Sequence, residues 1–248
     1  MIIDGIKHKG GKNVKSFLML GQSNMAGRGE FNEVPIIHND KCLMLRNGRW
    51  QKMSEPVNPD RAIFEGEFHS GVSLAPSFAQ SVSDYFGCIV GLIPCADGGT
   101  DIDDWAKGGV LYDHAVLMTK LAMRSSDLCG ILWHQGESDC FSDSKAKEHK
   151  EKFIQMMTAF RKDIGAENIP LIIGELSNEY TDRWGLGDRP NIINHGYKEV
   201  TQILSNSALV SASGLKLKED GIHFNSESLR IFGRRYFDAY LKVLGQNK

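Results

Sequence analysis

The sequence predicts one α/β domain: a three-layer α/β/α arrangement built on a doubly wound parallel sheet of about five strands. Three observations carry that expectation. Short apolar runs alternate with longer stretches of three-to-four apolar spacing, the pattern that βαβ units with right-handed crossovers produce. No internal repeat or low-complexity linker divides the 248 residues, which are enough to bury one large core. Polar, glycine-bearing segments follow three of the apolar runs, and a fourth precedes the last helical stretch. In an open parallel sheet such segments gather beyond the C-terminal strand ends, where ligands bind.

Taken in order, the runs at 17–20 (FLML), 88–93 (CIVGLI), 130–133 (GILW), 171–176 (LIIGEL) and 208–212 (ALVSA) are short, apolar and bounded by Gly, Pro, Asn or Ser. They fit strands buried on both faces. Residues 72–86 carry Leu74, Phe78, Val82 and then Tyr85 or Phe86 at helical spacing. Residues 112–123 behave likewise, as do 144–164 with Phe153, Met156, Met157, Phe160 and Ile164. The last helix is expected at 226–244, with Leu229, Phe232, Tyr236, Ala239 or Tyr240, and Val243. Such stripes are core faces. Residues 30–70 break the rhythm with Pro35, Pro56 and Pro59. They read as an irregular insertion in a domain spanning 1–248, with a hairpin around Leu43, Met44, Leu45 and Asn47-Gly48. Long irregular segments of this kind often shape a site.

Composition narrows the partners. Hydrophobic residues make up 41% and charged residues 24%, as in an ordinary globular protein. Against 31 acidic side chains stand 29 basic ones, a net charge of −2, so no positive field gathers phosphates and no nucleic acid is expected. Cys42, Cys88, Cys95, Cys129 and Cys140 are scattered, without a CxxC pair, and read as reduced thiols rather than a disulfide or zinc framework. Near the basic N-terminus the longest apolar run, 17–20, is too short for a secretory core. No stretch of 18 apolar residues occurs, so no membrane span is expected. A cytoplasmic address follows as the expectation.

The chemistry is sought beyond the apolar runs. After the first comes Gly21-Gln22-Ser23-Asn24-Met25-Ala26-Gly27, after the second Pro94-Cys95-Ala96-Asp97-Gly98-Gly99-Thr100, and after the third His134-Gln135-Gly136-Glu137-Ser138-Asp139. Asp220-Gly221-Ile222-His223-Phe224-Asn225 precedes the last helix. Ser23 is the candidate nucleophile, which needs a base for its proton and donors for the oxyanion. Its heptapeptide alone fits an ordinary loop or N-cap serine equally well, and Met25 breaks the GxSxG pattern. His223 is the candidate base, with Asp220 three residues earlier to hold one imidazole nitrogen. Gly98, Gly99 and Gln135 are candidate oxyanion donors. His134 and Glu137 lack a third ligand at a telling spacing, so no metal is expected.

Together GQSNMAG, ADGGTDIDDW, WHQGESD and DGIHFN, in this order, resemble the blocks of the SGNH-hydrolase superfamily. More narrowly they resemble its sialate O-acetylesterase-like branch and the acetyl xylan esterases of carbohydrate esterase family 6. The resemblance covers residues 17 to 225, apart from the 30–70 insertion. It implies a flavodoxin-like SGNH hydrolase fold and a serine esterase acting on a small-molecule or oligosaccharide acetyl ester, with no cofactor. Ser23 becomes the nucleophile and His223 the general acid/base. The backbone N–H of Ser23, one of Gly98 and Gly99, and the Gln135 amide become the oxyanion hole. The carboxylate is Asp220 or Glu137, with Asp220 preferred. Gln22, Asn24, Thr100 and Trp105 are expected at the substrate, with Trp105 stacking on a sugar face. Two other readings stay open: a noncatalytic sugar-binding module of the same fold, and an SGNH esterase acting on a lipid or thioester.

Overall fold

Residues 12–60, 69–177, 179–180 and 184–246 are described in the computed structural model. β1 (Val14–Gly21) lies inside a sheet of seven strands among these residues. Its companions are β2 (Cys42–Arg46), β3 (Arg49–Lys52), β4 (Ile89–Pro94), β5 (Ser126–His134), β6 (Leu171–Gly174) and β7 (Ser207–Val210), in the order β3-β2-β4-β1-β5-β6-β7. All neighbours pair in parallel except β2 and β3.

The five expected strands are present, and the expected count of about five is corrected to seven. The Leu43–Leu45 hairpin does not stand apart from the sheet: β2 pairs with β4 and β3 closes the edge. Its apolar side chains explain this, because Cys42, Met44 and Leu45 join the core. Elsewhere in the insertion, Glu55 forms a buried ion pair with Arg230, 2.6 Å apart. Residues 61–68 of the insertion and residues 1–11, on which the reading of the N-terminus falls, lie outside the described residues.

The helices are α1 (Ser23–Ala26), α2 (Ala75–Phe86), α3 (Val110–Met123), α4 (Asp143–Asp163), α5 (Arg189–Ile203) and α6 (Ser226–Gln246). Alternation along β1 assigns them to layers. Phe17 and Met19 point into a core with Phe78 and Val82 of α2 and Phe232 and Tyr236 of α6. Leu18 and Leu20 point the other way, towards Ala115 of α3, Phe153 and Phe160 of α4, and Ile193 and Tyr197 of α5. The result is the expected three-layer α/β/α sandwich. α5 is an element not expected from the sequence: Ile193, Tyr197 and Val200 are spaced for a helix and buried, but Gly196 interrupts the pattern.

Winding reverses at β1, since the chain continues first to β2 and β4 on one side and then to β5, β6 and β7 on the other. The crevice at its C-terminal end is the place for a ligand. Gly21 makes the approach there possible. It has φ of 127°, and a Cβ would run into the carbonyl of His134 on β5, which accepts the Gln22 N–H at 2.9 Å. Among the described residues no helix is long and apolar enough to cross a membrane.

Candidate active site

Ser23 begins α1 directly after β1, so its N–H has no acceptor within its own helix. Its side chain is nearly buried. His223 comes from the far end of the chain, on the loop before α6. That loop folds back on itself: Lys218 N–H donates to the His223 carbonyl at 2.7 Å, and Gly221 N–H to the Lys218 carbonyl at 2.9 Å. His223 Nε2 lies 3.0 Å from Ser23 Oγ, and its Nδ1 lies 2.9 Å from Asp220 Oδ2. The other Asp220 oxygen accepts the backbone N–H groups of Ile222 and His223, both at 2.9 Å.

Burial opposes ionisation of Asp220, but the two backbone donors and the His223 ring outweigh it and hold the carboxyl below its ordinary value. An ionised Asp220 accepts from Nδ1–H, which leaves Nε2 with a lone pair facing the Ser23 hydroxyl.

Glu137, the other carboxylate considered, is directed elsewhere. Its Oε1 lies 3.1 Å from His134 Nε2 and accepts from Asn24 Nδ2 at 2.6 Å and from the Tyr180 hydroxyl at 3.4 Å. All four residues are buried. Burial disfavours its charge, yet the His134 ring and the Asn24 amide hold its carboxyl below the usual range. Glu137 reaches His223 only through Asn24, whose Nδ2 also donates to the Ile222 carbonyl at 3.1 Å and whose Oδ1 accepts the Phe224 N–H at 3.0 Å. The residue after Ser23 thus clamps the chain on both sides of His223.

Gln135, expected as an oxyanion donor, has other partners in this geometry. Fully buried, it directs its NH₂ at Asp139 Oδ2 (2.5 Å), the Thr100 carbonyl (3.1 Å) and Gln22 Oε1 (3.3 Å). Its Oε1 faces His149 Nε2 at 2.9 Å. Burial pushes the His149 imidazole down to about 3, so the ring is neutral and Nε2–H donates. The two amide protons thus face three protein acceptors. Burial also pushes Asp139 up to about 7, against the donated bonds from Gln135 and the Ile102 N–H.

The four residues expected at the substrate are likewise interior, none more than 3% exposed. Gln22 Oε1 receives the N–H groups of Gly136 at 3.2 Å and Ser138 at 3.3 Å. Thr100 Oγ1 donates to the Asp97 carbonyl at 2.9 Å and accepts the Trp105 indole N–H at 3.1 Å. Trp105 packs edge-on to Trp133 and has no face left for a sugar. These side chains fasten the strand-end loops to one another. Of the two glycines, Gly98 approaches Ser23: a Cβ on it would sit 3.5 Å from the Ser23 Cβ and run into the Arg28 guanidinium. A Cβ on Gly99 would meet nothing within 4 Å. Sequence reasoning missed Trp184, whose indole N–H donates to the Asp220 carbonyl at 2.9 Å; a lone tryptophan in a polar loop carries no signal in the sequence.

A parallel-dominant α/β sheet carries a hydroxyl, an imidazole and a carboxylate in line at its switch point, within the fold class expected from the sequence. Comparison with known proteins takes the assignment further. Residues 13–242 match the family "Carbohydrate esterase, sialic acid-specific acetylesterase", and the chain belongs to that family. It is 31% identical over 246 residues to the "Probable carbohydrate esterase At4g34215" of Arabidopsis thaliana, covering 91% of this chain and 89% of the relative. The solved structure of that Arabidopsis protein superposes with a TM-score of 0.82 at 27% identity, covering 93% of this chain and 98% of the other. Two further structures share the fold. NanS has a TM-score of 0.77 at 16% identity, over 95% of this chain and 99% of its own. XAC1771, described as a carbohydrate acetylesterase from Xanthomonas citri, has 0.66 at 19% identity, over 94% and 57%.

Proposed function

We propose that the protein is a serine esterase that removes O-acetyl groups from a carbohydrate, with Ser23 as nucleophile, His223 as general acid/base and Asp220 as the carboxylate that orients it. The observation that carries this reading is the continuous string of contacts from Ser23 Oγ through His223 to Asp220, at 3.0 and 2.9 Å. Membership of a carbohydrate esterase family supports the substrate class.

In the proposed reaction His223 Nε2 takes the Ser23 proton as Oγ attacks the acetyl carbonyl. The imidazolium, stabilised by ionised Asp220, then gives that proton to the departing sugar oxygen. Water, deprotonated by the same nitrogen, releases acetate from the acyl-enzyme. The oxyanion is assigned to the N–H groups of Ser23 and Gly98, the first at a helix start with no acceptor in its own helix and the second on a glycine beside the nucleophile.

Release of acetate from acetylated xylan oligomers, O-acetylated sialic acids and acetylated monosaccharides, followed with the wild type and Ser23→Ala, tests the proposal. Turnover by the wild type and a loss of about 10³-fold or more in the variant are expected. No turnover even of p-nitrophenyl acetate would defeat the esterase reading in favour of a sugar-binding module. Activity rising from acetyl to octanoyl esters would favour a lipid or thioester substrate instead.

A further inference from the structure

Beside the proposed catalytic residues stands an aromatic corner that the reaction does not use. Phe141 ends the short 3-10 turn Asp139–Phe141, just beyond the loop after β5 that carries Glu137. Trp184 comes from the loop before α5. Their rings meet edge to face, with centroids 6.0 Å apart and planes at 85°, yet Phe141 remains 52% exposed and Trp184 42%. Other exposed apolar side chains, such as Leu117 and Ile203, stand on the surfaces of α3 and α5. Phe141 and Trp184 come from two loops at the edge where the four sequence blocks converge.

The corner is held in place. The Trp184 N–H is fixed on the Asp220 carbonyl at 2.9 Å. Arg189 donates to the carbonyls of Leu186 at 2.8 Å and Gly185 at 2.7 Å, and to Asp143 at the start of α4 at 3.0 Å. Leu186 is fully buried, as is Cys140 next to Phe141. Each exposed ring therefore sits beside a buried anchor, which limits the entropy lost when a ligand binds.

From this geometry we infer that Phe141 and Trp184 form a stacking subsite for the pyranose ring of the carbohydrate ester. The inference rests on the function proposed above and adds to it where the sugar lies. The leaving oxygen has to reach His223 Nε2 to be protonated, so the sugar attached to it extends along the His223 side of the site. Trp184 stands beside that loop, its indole N–H bonded to the Asp220 carbonyl three residues before His223. A pyranose presents an apolar C–H face with a rim of hydroxyls, and an aromatic face with its negative quadrupole suits those C–H groups while the hydroxyls stay hydrated. Trp105, expected from the sequence to do this, is enclosed; the exposed pair takes its place.

The test compares a panel of mono-acetylated methyl pyranosides with ethyl acetate, which has no ring to stack. For the best pyranoside, Phe141→Ala and Trp184→Ala are each expected to raise KM about tenfold. In Phe141→Ala kcat should stay within about threefold of the wild type, as for a group that binds without taking part in the chemistry. Trp184→Phe keeps a ring but drops the N–H bond, and its KM should stay within about threefold of the wild type. An unchanged KM in both alanine variants, or an equal rise for ethyl acetate, would overturn the subsite while leaving the esterase intact. If the wild type hydrolyses ethyl acetate but none of the pyranosides, the carbohydrate reading itself falls, and the subsite with it.

Discussion

At the scale of single residues, the two carboxylates considered from the sequence separate by their neighbours. Asp220 touches the His223 ring, and Glu137 touches His134 and Asn24. Asp220→Asn should therefore lower kcat by about 10²–10⁴, through loss of the charge that orients and stabilises the imidazolium, with little change in stability. Glu137→Gln unbalances a buried pair with His134 and should cost about 3 kcal/mol or more of stability, with the smaller loss in kcat. Kinetics and urea denaturation of both variants check the assignment; the reverse ranking in kcat would move the orienting role to Glu137. Ser23, His223 and Asp220 were legible because each brings a reactive group inside a recognisable block. The fate of Gln135, Gln22, Thr100 and Trp105 was not. A block marks which residues converge, but whether a side chain faces the cleft or the interior is settled by partners up to 116 positions away, such as the Ser138 N–H on Gln22.

At the scale of elements, the strand-to-helix turn at β1 depends on one backbone conformation. Gly21→Ala places a Cβ against the His134 carbonyl at a φ that L-residues avoid. It should destabilise the fold by about 2 kcal/mol or more and lower kcat as well, because Ser23 follows two residues later; urea midpoints and turnover measured together check this. The five core strands and four of the longer helices were readable from their apolar runs and stripes. The hairpin was read as a feature of the insertion and joined the sheet instead, because sheet membership depends on an edge, here that of β4, which local pattern does not contain. α5 was hidden for a local reason: Gly196 dilutes a stripe that packing against α4 completes.

At the scale of the whole molecule, buried ionisable groups couple the site's scaffold to pH. Asp139, near Asp101 and Lys145, has its carboxyl pushed up by burial to about 7 in the folded chain, against about 4 when unfolded. Between these values the folded state holds a proton that unfolding releases. Stability contributed by this group therefore falls as pH rises from about 4 to about 7 and levels off above. Asp139→Asn should remove that slope, by an amount on the order of a few kcal/mol across the window, and urea denaturation of both proteins at pH 5 and 8 measures it. The sequence by itself determined the α/β class, the family and the residues that bring a hydroxyl, an imidazole and a carboxylate, because periodicity and short motifs are local properties. Tertiary structure alone decided that His223 meets Ser23, that Gln135 and Trp105 face inward, and that Phe141 and Trp184 stay open at the rim. Those are outcomes of contact between segments far apart in the chain, and burial, hydrogen-bond partners and exposure exist only once the segments have met.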